Sequence, residues 1–146
     1  MLTAAGYAVV AGVATWRWPQ VCVLSIVPWV FLVAGLALAV VGIPMLIVAV
    51  KAGMAAYDAD KLATTGLYGI VRNPMYAAWI VFIIPGLVLL TRSWPLFLTP
   101  PVAYIMFKLL IRRENEYLEK RFGDAYRKYR AEVNELFPLP RKRRSA

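Results

Sequence analysis

Residues 64–86 read TTGLYGIVRNPMYAAWIVFIIPG. A polar stretch with two glycines turns at Asn73-Pro74 into an unbroken apolar run. Asparagine accepts hydrogen bonds from the free N–H groups that open a helix, and proline fits the first helical position. Asn73-Pro74 therefore starts a helix, expected to reach about Leu90 with Pro85-Gly86 inside it. A run of that length and apolarity suits a membrane span. Arg72, Tyr68 and Tyr76 form its collar, as charged and aromatic residues do at a membrane interface.

The rest of the chain reads the same way. Of its 146 residues, 61% are hydrophobic, too many for a soluble domain of this size to cover with polar surface. The first acid is Asp58, and only Arg17 and Lys51 are charged before it. Four spans are expected. The first covers about residues 2–16 and ends in the interfacial collar WRWP; the second runs from about Val21 to Val50, with Pro28 and Pro44 as kink points. The third begins at Pro74, and the fourth covers about residues 95–111 with Pro100-Pro101 inside it. TRSWP (91–95) joins the last two as a helical hairpin. The first segment has no basic leader, so it reads as an uncleaved span, not a signal peptide.

Net charge is +9, and twelve of the seventeen Lys and Arg lie from Lys108 onward. With the basic 51–72 loop, this places both termini and that loop in the cytoplasm by the positive-inside rule. Membrane topology accounts for the charge, so nucleic acid is not an expected partner. There is no histidine and one cysteine, Cys22, in an apolar run. Disulfide frameworks, Cys/His metal sites and histidine-based triads are excluded, and no metal is expected. No internal repeat suggests an inverted-repeat transporter.

After the spans, Leu118, Phe122, Tyr126, Tyr129 and Val133 recur at steps of three and four, one face of an amphipathic helix suited to a membrane surface. Glu116–Lys120 and Asp124–Lys128 would pair across its other side. Pro138 and Pro140 stop it, and RKRRSA (141–146) is expected to be disordered. The whole is expected to be an all-α polytopic membrane protein. Residues 1–50 supply two spans, 51–138 a catalytic module, and 139–146 a basic tail.

Glu114 lies four residues before Leu118, on the apolar face, where a carboxylate needs a partner. Arg72, Arg112 or Lys108 could pair with it; equally, an ionisable residue at membrane depth is a functional candidate. At RNPMY, Arg72 and the free N–H groups of a helix start favour an anion. Gly66 and Gly69 allow close ligand approach there. If the tail helix folds back beneath the third span, one locus for an anion faces one for a cation, beside tyrosines. A zwitterion with a cationic centre suits both. S-adenosylmethionine is such a molecule, and aromatic faces attract its sulfonium.

In order and spacing, LATTGLYGIVRNPMYAA, a hairpin and ENEYLEKRFGDAYRKYRAEVNELFP resemble integral-membrane methyltransferases related to isoprenylcysteine carboxyl methyltransferase and the phospholipid methyltransferases. The resemblance covers about residues 60–138. It implies a methyl transfer from S-adenosylmethionine to a lipidic acceptor, in a pocket on the cytoplasmic side closed by the tail helix. By position it implies cofactor contacts at Lys61, Leu62, Ala63, Tyr68, Asn73, Pro74, Met75, Tyr76 and Glu114, with Arg72 and Glu114 as the chemically active pair. Asn73 stands where the isoprenylcysteine enzymes have histidine, and Asn115 where they have a second glutamate. Leu110 stands at their substrate-binding arginine, leaving Arg112 or Arg113 as substitutes, so an isoprenylcysteine substrate does not carry over. The expected setting is a prokaryotic cell membrane.

Two rival readings remain at the sequence level. Membrane sterol reductases resemble the same module and use NADPH, but this chain is short for them. A non-catalytic transporter or assembly factor is the other. None of the four expected spans holds an Asp or Glu, which counts against proton-coupled export.

Overall fold

The computed structural model describes residues 2–18 and 28–138. Its elements are helical: α1 (Leu2–Arg17), α2 (Pro28–Asp58), the single turn α3 (Leu67–Ile70), α4 (Pro74–Thr91) and α5 (Thr99–Glu132), with a 3-10 stretch Trp94–Leu98 leading into α5. Among the described residues, three helices are long and apolar enough to cross a membrane: α2, α4, and α5 with its 3-10 lead. The expected first span is present as α1, but at 16 residues. That is about 24 Å of helix against roughly 30 Å of bilayer hydrocarbon. It docks on the hairpin, where the Tyr7 hydroxyl donates to the Pro95 carbonyl (2.6 Å) and the hydroxyls of Thr15 and Ser93 meet at 2.5 Å. The start of the expected second span with Cys22, the tail 139–146 and Pro140 lie outside the described residues.

α2 continues eight residues past the expected end at Val50, so the loop before α4 begins only after Asp58. Its described part begins at Pro28, and Pro44 is internal. The buried positions of α2 are Gly35, Gly42 and Ala49, seven apart and so on one stripe. That stripe faces α4. A methyl group on Gly42 would lie 2.7 Å from the Phe82 Cβ, and one on Gly35 2.9 Å from the Gly86 carbonyl oxygen. Small residues thus let two backbones approach, as in packed transmembrane helices. The opposite face carries exposed valines and leucines (Val33, Leu36, Val40), suited to lipid.

Within α4, Ala78–Ile83 are wound as a π-helix. Pro85 has no N–H to give residue 81 and its ring crowds that carbonyl; the widened turns lie where the helix must absorb this. The hairpin turns at Arg92, in the left-handed region (φ 52°). Pro100 and Pro101 fall in the first turn of α5, where no intrahelical N–H is lost.

The fourth span and the expected tail helix are one helix, interrupted at Gly123 (φ 53°, ψ −126°). The break brings Arg127 to Glu119 (2.8 Å) and Arg130 to the same carboxylate (3.6 Å), and Asp124 pairs with Arg127 (3.3 Å). These replace the expected Glu116–Lys120 and Asp124–Lys128 pairs. α5 ends at Glu132, well before Pro138. The chain then turns extended at Val133, and its carbonyls take up new partners: Asn134 accepts from the Arg72 amide (2.7 Å) and Glu135 from the Asn73 amide (3.0 Å). Backbone pairing, not proline, sets the boundary. Leu136 completes a core with Val71, Ala77, Ile80, Ala103, Phe107 and Ile111.

Candidate functional site

The described end of α2, the turn α3, the start of α4 and the second half of α5 enclose a cavity of about 500 Å³. That lies within the ~300–1,000 Å³ usual for small-molecule sites. Two glycines shape it. Gly66 (φ 60°, ψ −128°) and Gly123 (φ 53°, ψ −126°) adopt nearly the same backbone, one that side chains with a Cβ avoid. Each precedes a tyrosine that enters the wall. Tyr68 is buried, and its hydroxyl donates to the Ala49 carbonyl at 3.3 Å. Gly53 makes room for this, since a methyl there would sit 2.7 Å from the Tyr68 hydroxyl. Beyond Gly123, the Tyr126 hydroxyl donates to Asn115 Oδ1 (2.5 Å) and the Tyr129 hydroxyl to the Tyr68 carbonyl (2.6 Å).

The structure brings most of the sequence-derived residues together. Lys61, Leu62 and Ala63 line one side of the cavity. Arg72, Asn73, Pro74, Met75 and Tyr76 line another, and Tyr68 and Glu114 complete it. Arg112 and Arg113 are exposed and are not on the lining. From the apolar face of the tail helix, Leu118, Phe122, Tyr126 and Tyr129 also line the cavity.

The charges pair in a pattern the sequence did not indicate. Glu114 meets none of its expected cations. Its Oε2 accepts from the Tyr76 hydroxyl at 3.4 Å, a long hydrogen bond that leaves most of the carboxylate's acceptor capacity free. Arg72, with 4% of its side chain exposed, pairs with Glu135 at 3.1 Å. Glu135 also binds Lys108. The Arg72 guanidinium lies 6.0 Å from the Tyr126 ring centre, and its Nε has no hydrogen-bond partner. Arg72 is therefore a neutralised wall element, not a free positive charge at the start of α4. Nor does Asn73 cap that helix: its Nδ2 donates to the Glu135 carbonyl (3.3 Å).

Sequence reasoning missed the mouth. Arg121 pairs with Asp60, donates to the Tyr117 hydroxyl (2.7 Å) and stands 5.9 Å from the Tyr57 ring centre. Tyr117 and Arg121 follow Glu114 by three and seven residues, so helical periodicity could have found them. Glu135, in an irregular segment after α5, gave no periodic signal. With Arg72 and Arg121 paired, Lys61 is the lining cation without an ion pair among the described residues.

Six of the chain's eight tyrosines line the cavity: Tyr57, Tyr68, Tyr76, Tyr117, Tyr126 and Tyr129. Burial, and then the charge of Glu114, push the Tyr68 hydroxyl above its ordinary value, so it stays a protonated donor. A carboxylate with spare acceptors among aromatic rings can hold an organic cation. The described residues contain no cluster of metal-ligating side chains.

Comparison with curated proteins and with solved structures returned no match. A family model described as phospholipid methyltransferase matches residues 30–125, about two thirds of the chain and the part that contains nearly all of α2, then α4 and Glu114. The chain belongs to the phospholipid methyltransferase family.

Proposed function

We propose that the protein transfers a methyl group from S-adenosylmethionine to a lipidic or otherwise membrane-embedded small acceptor, a carboxylate or an amine, in the cavity beside Glu114. Family membership gives the coarse activity, a methyltransferase of the membrane. The cavity supports the finer reading. The observation that carries it is Glu114, a carboxylate in a tyrosine-lined cavity with a phenol and no cation as its partner. It is suited to an ammonium, while Lys61 is suited to a carboxylate. Tyr68, Tyr76 and Tyr126 offer faces to a sulfonium. When bound, the cofactor supplies an electrophilic methyl group.

The chain's own part is placement and exclusion of water. Displacement at a methyl carbon needs the two reactants in line, and holding them so lowers the barrier by removing the entropy of encounter. Tyr76, fixed against Phe107 at 5.0 Å between ring centres, holds Glu114 in position. The rings of Tyr57, Tyr117 and Phe122 stand around Arg121, whose ion pair with Asp60 lies at the exposed edge of the lining. A carboxylate or neutral amine is itself nucleophilic, so no histidine base is required. The cavity opens at the end of the bundle that carries the 51–72 loop, which we place in the cytoplasm with both termini, α1 counting as a fourth crossing. The family match leaves the reductase and non-catalytic readings without support.

Calorimetric titration with S-adenosylmethionine tests this. Wild type is expected to bind saturably, and Glu114→Gln to bind roughly 10- to 100-fold more weakly, the loss of one charge-assisted hydrogen bond. Equal affinity in the variant would remove Glu114 from the site.

A further inference from the structure

Residues 133–136, which follow α5 without regular secondary structure, lie beyond the family match, which ends at residue 125, yet they hold the wall of the cavity. We propose that Glu135 is a positioning residue: it fixes Arg72 and Asn73 so that α4 presents Tyr76 to Glu114. Five polar contacts converge on this short strap. Its carbonyls accept from the Arg72 amide (2.7 Å) and the Asn73 amide (3.0 Å), the last two N–H groups before Pro74, which has none. The Glu135 carbonyl also accepts from Asn73 Nδ2 (3.3 Å). The Glu135 carboxylate ties Arg72 (3.1 Å) to Lys108 on α5. Leu136, 5% exposed, is the hydrophobic anchor.

The physical logic runs through Arg72. Its guanidinium is buried, and without Glu135 it would be an uncompensated charge in a poorly solvated place. It would have to move toward water, carrying the backbone of residues 72 and 73 with it. Tyr76 lies three residues further on and is the hydrogen-bond partner of Glu114. Glu135 is not itself on the cavity lining and makes no bond to Glu114, so it acts through Arg72 and Asn73, which are on the lining. Lys108 is half exposed and serves to hold the carboxylate's outer oxygen.

Two readouts test this, one of which rests on the cofactor reading and one of which does not. The first is amide hydrogen exchange in the ligand-free protein, comparing Arg72 and Asn73 with buried Val88 near the far end of α4. The second is calorimetric affinity for S-adenosylmethionine. Glu135→Gln is expected to speed exchange at Arg72 and Asn73 by roughly tenfold or more with Val88 unchanged, and to weaken binding by a similar factor. Glu135→Asp, which keeps the charge, is expected to restore most of both. Unchanged exchange at Arg72 and Asn73 in Glu135→Gln would overturn the proposal, as would failure of Glu135→Asp to restore it. Should Glu135→Gln not fold, Leu136→Val loosens the same strap more gently and must raise exchange at the same two amides. If wild type binds no S-adenosylmethionine, the cofactor reading fails while the exchange data still decide the role of Glu135.

Discussion

At the scale of single residues, the site depends on which charges have partners. Arg72 and Lys108 are committed to Glu135, Arg121 to Asp60, and Glu114 is left with a tyrosine. Asn115 shows how finely this is set. It is buried and accepts from Tyr126, so the position next to Glu114 adds no second negative charge. Asn115→Ala would leave a buried hydroxyl without its partner and is expected to destabilise the fold by about 1–3 kcal/mol. Thermal unfolding in detergent measures this, and an unchanged midpoint would show that Tyr126 finds water instead. Tyr76→Phe is expected to weaken cofactor affinity several-fold, about 0.5–1.5 kcal/mol for one hydrogen bond, with little change in stability. Calorimetry beside a melting curve separates the two effects. Glu114 and RNPMY were legible as residues because a polar group on an apolar helical face is an anomaly. Glu135 was not legible, since an acid in an unpatterned tail carries no such signal. The pairing of Arg72 with Glu135 instead of Glu114 needed the backbone of residues 133–136 to be seen.

At the scale of elements, glycine decides where helices turn and how close they come. Gly66 and Gly123 share a conformation, and nothing within 4 Å would obstruct a methyl group at either. The cost of alanine there is conformational alone. Gly66→Ala and Gly123→Ala are each expected to lower stability by about 1–3 kcal/mol. They should also misplace Tyr68 and Tyr126, respectively. Gly42 is the contrasting case. Its φ is ordinary, but a side chain would collide with Phe82, so Gly42→Leu is expected to separate α2 from α4. Unfolding midpoints for the three variants check the ranking, with Gly42→Leu the most damaging. Apolar periodicity located α4 and the hairpin because membrane spans are long and uniform. It mislaid the ends of α2 and of the tail helix, which depend on contacts with distant segments. It also joined Leu118, Phe122, Tyr126 and Tyr129 on one straight face; Gly123 bends that face around the cavity.

For the molecule as a whole, α2 packs on α4 through small residues while its opposite face is left apolar and exposed. Such a surface belongs in lipid, and the chain is expected to stay with membranes through alkaline carbonate washing, which strips peripheral proteins. Fold class was legible from composition and spacing. The count of crossings was not, because α1 is shorter than a span and charge patterning alone cannot say how deep it sits. The cavity lies where the loop after α2, the start of α4 and the bend of α5 meet, at one end of the bundle. Under the proposed reaction, a cofactor would enter such a site from water and an acceptor from lipid. The most direct test is to incubate the purified protein in lipid bilayer discs with S-adenosylmethionine carrying an isotopically labelled methyl group, then examine the extracted lipids by mass spectrometry. A labelled methyl on a lipidic carboxylate or amine, strongly reduced with Glu114→Gln, is the expected result. No labelled lipid from a wild-type protein that is folded and offered a broad lipid extract would contradict it.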